Sequence, residues 1–370
     1  MEKTKLRMLA GVLAFSAVWG TLAVWNGLKA PTEYSLSERR KLAQKPTATL
    51  ESILSGEYMT QFDSAAPDQF PLRDDFRSLK AVTGLYILGK KDNNGIYIAD
   101  GYAAKTEYPL RDSSVKGAIE KITDLYETYC RDKAKAVYYA VVPDKGYFLA
   151  PKNGYPHMDY AALTETTASS LSFAEYVDLF SELSVEDYYK TDTHWSQDKT
   201  ISVADKLSEA MGGEALTDYE IKQFDTPFYG VYYGQAALPM SPDTIFYVDS
   251  AVMRDATVEN VEKNEKYTGV WDMEELSGND PYEVFLSGAA AVVYVENPHA
   301  QTDRELVLFR DSFGSSIAPL LLHNYKKITL VDTRYIRPSL IGNFVDFQDA
   351  DVLFLYSTLI LNQSEALQKG

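Results

Sequence analysis

Residues 305–316 read ELVLFRDSFGSS, an apolar run followed directly by polar residues and a glycine. The run from Leu306 to Phe309 is apolar throughout, which is typical of a parallel strand with both faces buried. The polar residues and the glycine that follow predict a turn, and then a helix from Ser316 to about Asn324. Pro319 would lie in the first turn of that helix, where its missing N–H group needs no partner. We therefore expect Ser312 at the carboxyl end of a strand, where open α/β sheets bind their ligands.

Ser312 has two possible roles on this pattern. The N-terminus of the following helix would offer N–H groups and positive potential to a developing negative charge, which suits a nucleophile. A serine here can also be a helix cap, and we interpret Ser315 and Ser316 in that way. A strand-to-helix turn alone leaves the choice for Ser312 open.

Strand and helix patterns alternate through most of the chain. This alternation, with strands that are apolar on both faces, predicts a three-layer α/β sandwich. We divide the chain into an N-terminal anchor (residues 1–30), a juxtamembrane extension (31–112) and an α/β domain (113–370). The predicted strands are 136–142, 290–295, 305–309, 328–331 and 351–356, and the main predicted helices are 113–133, 171–183 and 196–211.

A second segment, YYKTDTHWS at residues 188–196, combines an acid with a base. Asp192 and His194 are two residues apart, so in extended backbone their side chains leave the same face. The carboxylate could then accept the Nδ1–H of the imidazole and leave Nε2 free as a base, as in serine hydrolases. His194 could instead be a structural histidine, or the pair could bind a metal. No second cluster of His, Asp or Glu has the spacing of metal ligands, and we expect neither a metal nor a cofactor.

The serine and the histidine are informative only as a pair. A serine without a base is a poor nucleophile, and catalysis needs a group that accepts its proton. The chain supplies both Ser312 and an Asp–His pair, but spacing along the sequence does not establish that they meet in space.

Net charge excludes one class of partner. The first 30 residues carry +3 within a total of −17, so the remaining 340 residues carry −20. Nucleic-acid binding needs a cationic face, so we expect no nucleic-acid partner. A neutral or amino-sugar polymer is easier to reconcile with this charge than an anionic glycan. Cys130 is the only cysteine, which excludes an intramolecular disulfide, and we interpret it as a small helix residue.

The N-terminus predicts attachment to a membrane. A short basic run is followed by an uncharged segment from Met8 to Trp25, which as a helix would span roughly 27 Å, close to the hydrocarbon thickness of a bilayer. Basic residues before such a helix keep that end cytoplasmic and send the rest outside. A cleaved signal peptide is the alternative, but Leu28 breaks the small-residue cleavage pattern. We therefore expect a single-pass protein of the cell membrane with an extracytoplasmic domain.

Six short motifs, taken in order, resemble those of the DHHW-type proteins of Gram-positive bacteria and the related SGNH-like alginate O-acetyltransferases. Thr193 stands where the DHHW form has its first histidine, as in the alginate-type enzymes, and Arg310 stands where many SGNH proteins have glycine. The Asp–His pair also precedes the serine, and the resemblance implies that this permuted order is normal for the group. The motifs are SERRKLA (37–43), DQFPLRD (68–74), VPDK (142–145), TDTHW (191–195), RDSFG (310–314) and VDTRY (331–335).

The resemblance implies an SGNH hydrolase-like (flavodoxin-like) sandwich with a permuted catalytic triad. It implies that Ser312 is acylated, that His194 moves the proton and that Asp192 holds the imidazolium, with the Ser312 N–H as an oxyanion donor. Lys145 and Arg334 are candidate contacts to a glycan or carboxylate, although each could equally form an ordinary ion pair.

Three functions follow from this resemblance. The first is acetyl transfer onto hydroxyls of a cell-surface or secreted polysaccharide through an acyl-serine, with a membrane-bound O-acyltransferase as partner and acyl donor. The second is the hydrolytic reverse, a polysaccharide deacetylase or carbohydrate esterase with the same triad. The third is a non-catalytic glycan-binding subunit of an acetylation complex.

Overall fold

The structure is a computed structural model that describes residues 2–369. The chain forms two compact units. The first contains the chain up to Asn93 together with Gly234–Pro239, and the second contains Asn94–Tyr233 and the chain from Met240 onward. These units are defined by packing, whereas our division at residues 30 and 112 follows membrane topology and motif order. That division stays a prediction.

The first unit is mainly helical. α1 has 27 residues, a length of about 40 Å, and its apolar part is long enough to cross a membrane. This is consistent with either a single-pass anchor or a signal sequence. The elements are α1 (Glu2–Leu28), β1 (Tyr34–Ser35), β2 (Arg40–Lys41), α2 (Leu50–Leu54), α3 (Glu57–Asp68) and α4 (Arg73–Val82), which continues as a π-helical turn, Thr83–Ile87.

Strands and helices alternate along the remainder of the chain. The helices are α5 (Asp112–Leu125), α6 (Lys145–Asn153), α7 (Tyr160–Ser170), α8 (Ile201–Ala210), α9 (Val231–Ala236), α10 (Ala251–Asp255), α11 (Phe313–Leu321) and α12 (Thr358–Leu361). The strands are β3 (Ile96–Ala99), β4 (Tyr102–Lys105), β5 (Ala136–Val142), β6 (Glu175–Val177), β7 (Glu220–Phe228), β8 (Asp243–Asp249), β9 (Thr257–Asn260), β10 (Glu265–Thr268), β11 (Val292–Glu296), β12 (Glu305–Arg310), β13 (Lys327–Val331) and β14 (Asp351–Ser357).

The second unit is built on one eight-stranded sheet in the order β10-β9-β11-β13-β12-β14-β5-β6. The five strands from β13 to β6 are parallel, and β11, β9 and β10 continue the sheet in antiparallel fashion. Parallel strands end at the same edge, so the carboxyl ends of β12, β14 and β5 lie side by side. Thr358 directly follows the end of β14, and Ser312 and Asp144 lie two residues beyond the ends of β12 and β5.

Both faces of the sheet are covered by helices. Leu306 and Leu308 of β12 pack on one side with α8 and α11, whereas Val307 and Phe309 pack on the other with α5 and α7. Successive side chains in a strand point to opposite faces, so a strand between two helical layers must be apolar at every position. The predicted three-layer α/β sandwich is confirmed.

The helix after Ser312 begins earlier than predicted. It starts at Phe313, not at Ser316, so Pro319 lies in the helix interior and not in the first turn. A proline there removes the hydrogen bond to the carbonyl of Ser315, four residues earlier. The prediction was wrong because the serines were read as caps before the helix, whereas they lie within it.

Residues 171–183 were predicted to be helical, and this was wrong. The segment contains the edge strand β6, whose three residues pair in parallel with Tyr138–Ala140 of β5. Its apolar residues fit either a helix or a strand in so short a segment, and pairing with the exposed edge of β5 decided between them.

Candidate active site

Ser312 lies in the turn between β12 and α11. Its backbone is in the right-handed helical region, at φ −63° and ψ −21°, and its side chain makes no capping hydrogen bond. The hydroxyl is therefore not occupied by the helix end. The side chain is partly exposed, whereas the residues on either side, Asp311 and Phe313, are buried.

Ser312, His194 and Asp192 form one continuous chain of hydrogen bonds. The distance from Ser312 Oγ to His194 Nε2 is 2.7 Å, and that from His194 Nδ1 to Asp192 Oδ1 is 2.6 Å. A carboxylate can only accept, so Nδ1–H donates to Asp192 and Nε2 is left to accept the serine proton. This is the arrangement that a serine nucleophile needs.

The imidazole ring is held from two sides. The ring of Tyr282 stacks on His194 with a centroid distance of 3.8 Å and an interplanar angle of 5°. Phe313 meets the His194 ring edge-on at 5.0 Å. These contacts restrict rotation of the imidazole, so its Nε2 stays directed at Ser312.

Asp192 is fully buried and has several donors. Its Oδ1 accepts the backbone N–H of His194 at 3.0 Å, and its Oδ2 accepts the N–H of Val231 at 2.7 Å. A buried carboxylate is tolerated when charge-assisted hydrogen bonds replace its water shell. The acid is thereby locked in place beside the imidazole.

Ser316 ties the histidine segment to the serine helix. Its hydroxyl accepts the indole N–H of Trp195 at 2.8 Å and lies 2.8 Å from the hydroxyl of Tyr282, and its carbonyl accepts the side-chain N–H of Gln197 at 2.7 Å. Ser315 instead lies near the carbonyl of Gly288. The interpretation of Ser315 and Ser316 as helix caps was therefore wrong, because both lie inside α11 and their hydroxyls contact other segments.

The turn at Ser312 has one available backbone donor. Phe313 N–H donates to Asp311 Oδ1 at 3.0 Å, and Gly314 N–H donates to the Asp311 carbonyl at 3.1 Å. Within residues 2–369 the N–H of Ser312 has no protein acceptor. The turn that positions the Ser312 hydroxyl also positions this N–H group, which could therefore stabilise a developing oxyanion.

The buried side chain of Arg310 packs against Gly314 of this turn. It is fully buried, donates to the carbonyl of Gly288 at 2.9 Å and lies 3.5 Å from the carboxylate of Asp332. Burial lowers the pKa of its guanidinium, and the Asp332 carboxylate opposes that shift. A Cβ on Gly314 would come within 2.5 Å of the Arg310 side chain, so the turn has room for glycine alone. Arg310, which stands where many SGNH proteins have glycine, therefore contributes to the packing of this turn.

Lys145 lies inside the protein, at 2% exposure. Its ammonium donates to the carbonyl of Tyr189 at 2.8 Å and approaches that of Lys190 at 3.4 Å, just before Asp192 in the chain. It also lies 5.1 Å from the centroid of the Tyr232 ring. Burial lowers the pKa of Lys145 to about 7, and nearby carboxylates, Asp192 first, oppose the shift. The side chain contacts the backbone of the histidine segment and does not reach the surface.

Arg334 forms an ion pair with its near neighbour. Its guanidinium binds both carboxylate oxygens of Asp332, at 2.9 and 2.6 Å. Burial acts to lower its pKa, but the hydrogen bonds to Asp332 together with the negative charges of Asp332 and Asp311 raise the pKa above its ordinary value. A role for Arg334 in glycan binding stays a prediction.

Sequence reasoning missed two parts of the site. Tyr282 and Val231 touch the histidine and the acid, and neither lies in a motif. Gly230, next to Val231, sits in an uncharged run, residues 226–242, the longest outside the N-terminal helix. This uncharged run was a sequence signal that could have drawn attention to the segment around Val231. No group of three or more His, Cys, Asp or Glu is placed to hold a metal among residues 2–369.

Comparison with known proteins agrees with the motif reading. The model of the family described as DHHW protein matches residues 175–331, which include Asp192, His194 and Ser312. The predicted resemblance to the DHHW proteins is confirmed. No curated protein matches the sequence.

Solved structures share the fold. A DHHW family protein from Eubacterium siraeum is 21% identical with a TM-score of 0.62, and the match covers 74% of this chain and 94% of that one. PatB1 from Bacillus cereus is 17% identical with a TM-score of 0.55, and the match covers 72% of this chain and 96% of that one. A structure of PatB1 with a sulfonyl adduct matches at 16% identity with a TM-score of 0.54 and covers 97% of that chain. At these identities the likeness establishes the fold alone.

Proposed function

We propose that this chain is an extracytoplasmic serine O-acyltransferase that acetylates hydroxyls of a cell-surface or secreted polysaccharide. The observation that carries the proposal is the hydrogen-bonded chain from Asp192 through His194 to Ser312. Ser312 is partly exposed while its two partners are buried, as expected of a nucleophile with an internal base.

In the first half-reaction the donor ester reacts at Ser312. Nε2 of His194 takes the hydroxyl proton while Oγ bonds to the acyl carbon, and the carbonyl oxygen becomes an oxyanion near the Ser312 N–H. Collapse of this intermediate breaks the bond to the leaving oxygen, which receives the proton from His194. The product is acyl-Ser312, with Asp192 having stabilised the transient imidazolium.

In the second half-reaction a sugar hydroxyl takes the acyl group. His194 removes its proton, the sugar oxygen attacks the acyl carbon, and Ser312 leaves with the proton returned to it. Water in place of the sugar gives hydrolysis, so a polysaccharide deacetylase or esterase with the same three residues is the alternative function. The acceptor that reaches the acyl-enzyme decides between them.

The N-terminal helix gives the reaction its place in the cell. Lys3, Lys5 and Arg7 precede the apolar part of α1, and such residues retain their end in the cytoplasm. The catalytic unit would then face outward, beside a membrane-bound O-acyltransferase that supplies acyl groups. Confinement to the same membrane raises the effective concentration of the two partners.

Covalent labelling tests the nucleophile. Because the similar PatB1 is known with a sulfonyl adduct, a sulfonyl fluoride is a suitable reagent for the purified full-length protein. We expect mass spectrometry to find one adduct, on Ser312, in wild type and in Ser315→Ala, and none in Ser312→Ala. Equal labelling of wild type and Ser312→Ala would remove the basis of the proposal.

Acceptor dependence separates transfer from hydrolysis. The purified protein receives p-nitrophenyl acetate with or without a neutral oligosaccharide, and mass spectrometry detects acetylated sugar. We expect acetylated sugar with wild type only, whereas acetate alone would favour the esterase. A non-catalytic glycan-binding subunit predicts that Ser312→Ala leaves acetylation of the polysaccharide in cells unchanged.

A further inference from the structure

The acid of the candidate triad lies at the tip of a short loop that is closed at its base. Tyr188 and Trp195 form an isolated antiparallel bridge. Inside this bridge, the N–H of Tyr189 donates to the carbonyl of His194 at 3.1 Å. These pairs join the two ends of the loop but not the residues between them. The position of Asp192 therefore depends on the groups that hold the tip.

The side chain of Asp243 holds one side of this tip. Its Oδ1 accepts the N–H of Lys190 at 2.9 Å. Its Oδ2 accepts both the N–H of Thr191, at 2.7 Å, and the Thr191 hydroxyl, at 2.5 Å. Hydrogen bonds to a charged acceptor are stronger than those between neutral groups. One carboxylate thus fixes the two residues that directly precede Asp192.

The hydroxyl of Thr191 extends this restraint to the acid itself. Thr191 is fully buried, and its Oγ1 also accepts the N–H of Gly230 at 2.9 Å. The next N–H along the chain, that of Val231, donates to Asp192 Oδ2 at 2.7 Å. The Thr191 hydroxyl therefore connects Asp243 to the segment that binds the Asp192 carboxylate.

Strands β7 and β8 bring these groups together. Asp243 is the first residue of β8 and pairs with Phe228, the last residue of β7. Gly230 lies two residues beyond Phe228, so the carboxylate and the N–H group that meet at Thr191 come from the same end of this two-stranded sheet. Side chains carried by paired strands are placed more precisely than those on loops.

Lys145 holds the same peptide groups from their carbonyl side. Its ammonium donates to the carbonyl of Tyr189 at 2.8 Å and approaches that of Lys190 at 3.4 Å. Two successive peptide groups therefore direct their oxygens at a cation and their N–H groups at the Asp243 carboxylate. A flip of either peptide would reverse both contacts, so the two charges fix the orientation of the backbone before Asp192.

We infer that Asp243 is the positioning residue of the acid. By fixing the two peptide groups before Asp192, it keeps that carboxylate within hydrogen-bond distance of His194 Nδ1. The effect on rate rests on the proposed function, and Asp243 lies in none of the sequence motifs. Because Asp243 acts through Asp192, its loss lowers the rate only while Asp192 can hold the imidazole.

A double-mutant cycle separates positioning from general structural support. kcat and KM for p-nitrophenyl acetate are measured on the full-length protein with Asp243→Asn, with Asp192→Asn and with both. The amide keeps the shape of the carboxylate but turns an NH2 group towards N–H donors. We expect Asp243→Asn to lower kcat at least tenfold with KM nearly unchanged, and to change kcat less than twofold once Asp192 is Asn. Equal factors in both backgrounds, or no loss in the single variant, overturn the inference.

Asp249→Asn is the matched control. Asp249 is the last residue of the same strand, about 20 Å from Asp243. It is buried and forms ion pairs with Lys222 and Arg254. We expect this variant to keep the wild-type kcat, and a loss equal to that of Asp243→Asn would overturn the inference. Asp243→Glu keeps the charge but displaces the acceptor, and the same cycle is run with it if Asp243→Asn does not fold.

Proton NMR tests the inference without any reaction at Ser312. The proton in the 2.6 Å hydrogen bond between His194 Nδ1 and Asp192 should give a low-field resonance that is missing from His194→Gln. We expect Asp243→Asn to shift or broaden this resonance and Asp249→Asn to leave it in place. That result supports the positioning role even if Ser312 proves unreactive. An unchanged resonance in Asp243→Asn, or none in wild type, overturns it.

Discussion

The indole N–H of Trp195 donates a 2.8 Å hydrogen bond to the hydroxyl of Ser316, 121 residues further along the chain. Trp195 directly follows His194, and Ser316 lies in the first turns of the helix that begins next to Ser312. Both side chains are fully buried. One hydrogen bond thus connects the segment that carries the candidate base to the helix that follows the candidate nucleophile.

Replacement of Ser316 by alanine should destabilise the protein. The hydroxyl is the partner of both Trp195 and Tyr282, and two buried polar groups would lose it. Each unsatisfied group costs roughly 1–3 kcal/mol. We expect Ser316→Ala to lower the free energy of unfolding measured in guanidinium by about that amount or more. Ser315→Ala, whose hydroxyl makes only a 3.4 Å contact with Gly288, is the control and should change it far less.

Asp192→Asn should abolish most of the acyl-transfer rate while the fold persists. An amide can donate to Nδ1 and so favours the imidazole tautomer that cannot accept the serine proton. In serine proteases the equivalent change lowers kcat about 10⁴-fold, and we expect a loss of similar order in the burst of p-nitrophenol from p-nitrophenyl acetate. Asp198→Asn is a nearby control, whose carboxylate accepts from the Ser196 hydroxyl and lies 3.8 Å from the Lys199 ammonium. A loss below tenfold in Asp192→Asn would argue against the assigned role of the acid.

The position of the nucleophile candidate was predictable because it depends on local pattern. A strand buried on both faces must be apolar throughout, so residues 306–309 stood out, and the polar residues after them had to be a turn. The Asp–His pair was predictable for the same reason, since side chains two apart in extended backbone share a face. Their meeting with Ser312 depends on contacts 118 residues apart, which leave no local signature.

The surroundings of the site were not predictable from local pattern. Lys145 was predicted to contact a glycan or carboxylate, or to form an ion pair, whereas its ammonium is buried against the carbonyls of Tyr189 and Lys190. Val231 begins α9 and Tyr282 lies in a short 3₁₀ turn, Pro281–Val284, and neither element marks its residue as a neighbour of the site. Any of the 27 tyrosines could have stacked on the histidine. Such contacts are decided by tertiary packing.

Gly230→Ala should disturb the site by steric overlap. The added methyl group would overlap the backbone of Asp192, which is itself fixed by hydrogen bonds and cannot yield. Overpacking of this kind costs typically about 1–3 kcal/mol, and a shift of the acid should lower the rate of ester hydrolysis at least tenfold. Gly117→Ala is the control, because its methyl would meet only the side chain of Ser364 at 3.2 Å and alanine favours a helix. Ester hydrolysis at the wild-type rate in Gly230→Ala would contradict the close packing.

The buried amine of Lys145 should make stability depend on pH. Its pKa is about 7 in the folded protein against an ordinary value of 10.5, and burial is the main cause. Between these values the unfolded chain holds a proton that the folded chain has lost, so the free energy of unfolding rises with pH across that window. Below about pH 7 both states are protonated and this contribution is constant.

Comparison with Lys145→Arg isolates the effect. Arginine stays protonated in both states, so the variant should lack this pH dependence, while all other groups titrate as in wild type. The difference in unfolding free energy, wild type minus variant, should therefore increase by roughly 3–5 kcal/mol between pH 7 and 10.5, measured by guanidinium unfolding with tryptophan fluorescence. A difference that stays constant over this range would mean that Lys145 keeps its proton in the fold, held by Asp192, Asp243 and Asp144 despite its burial.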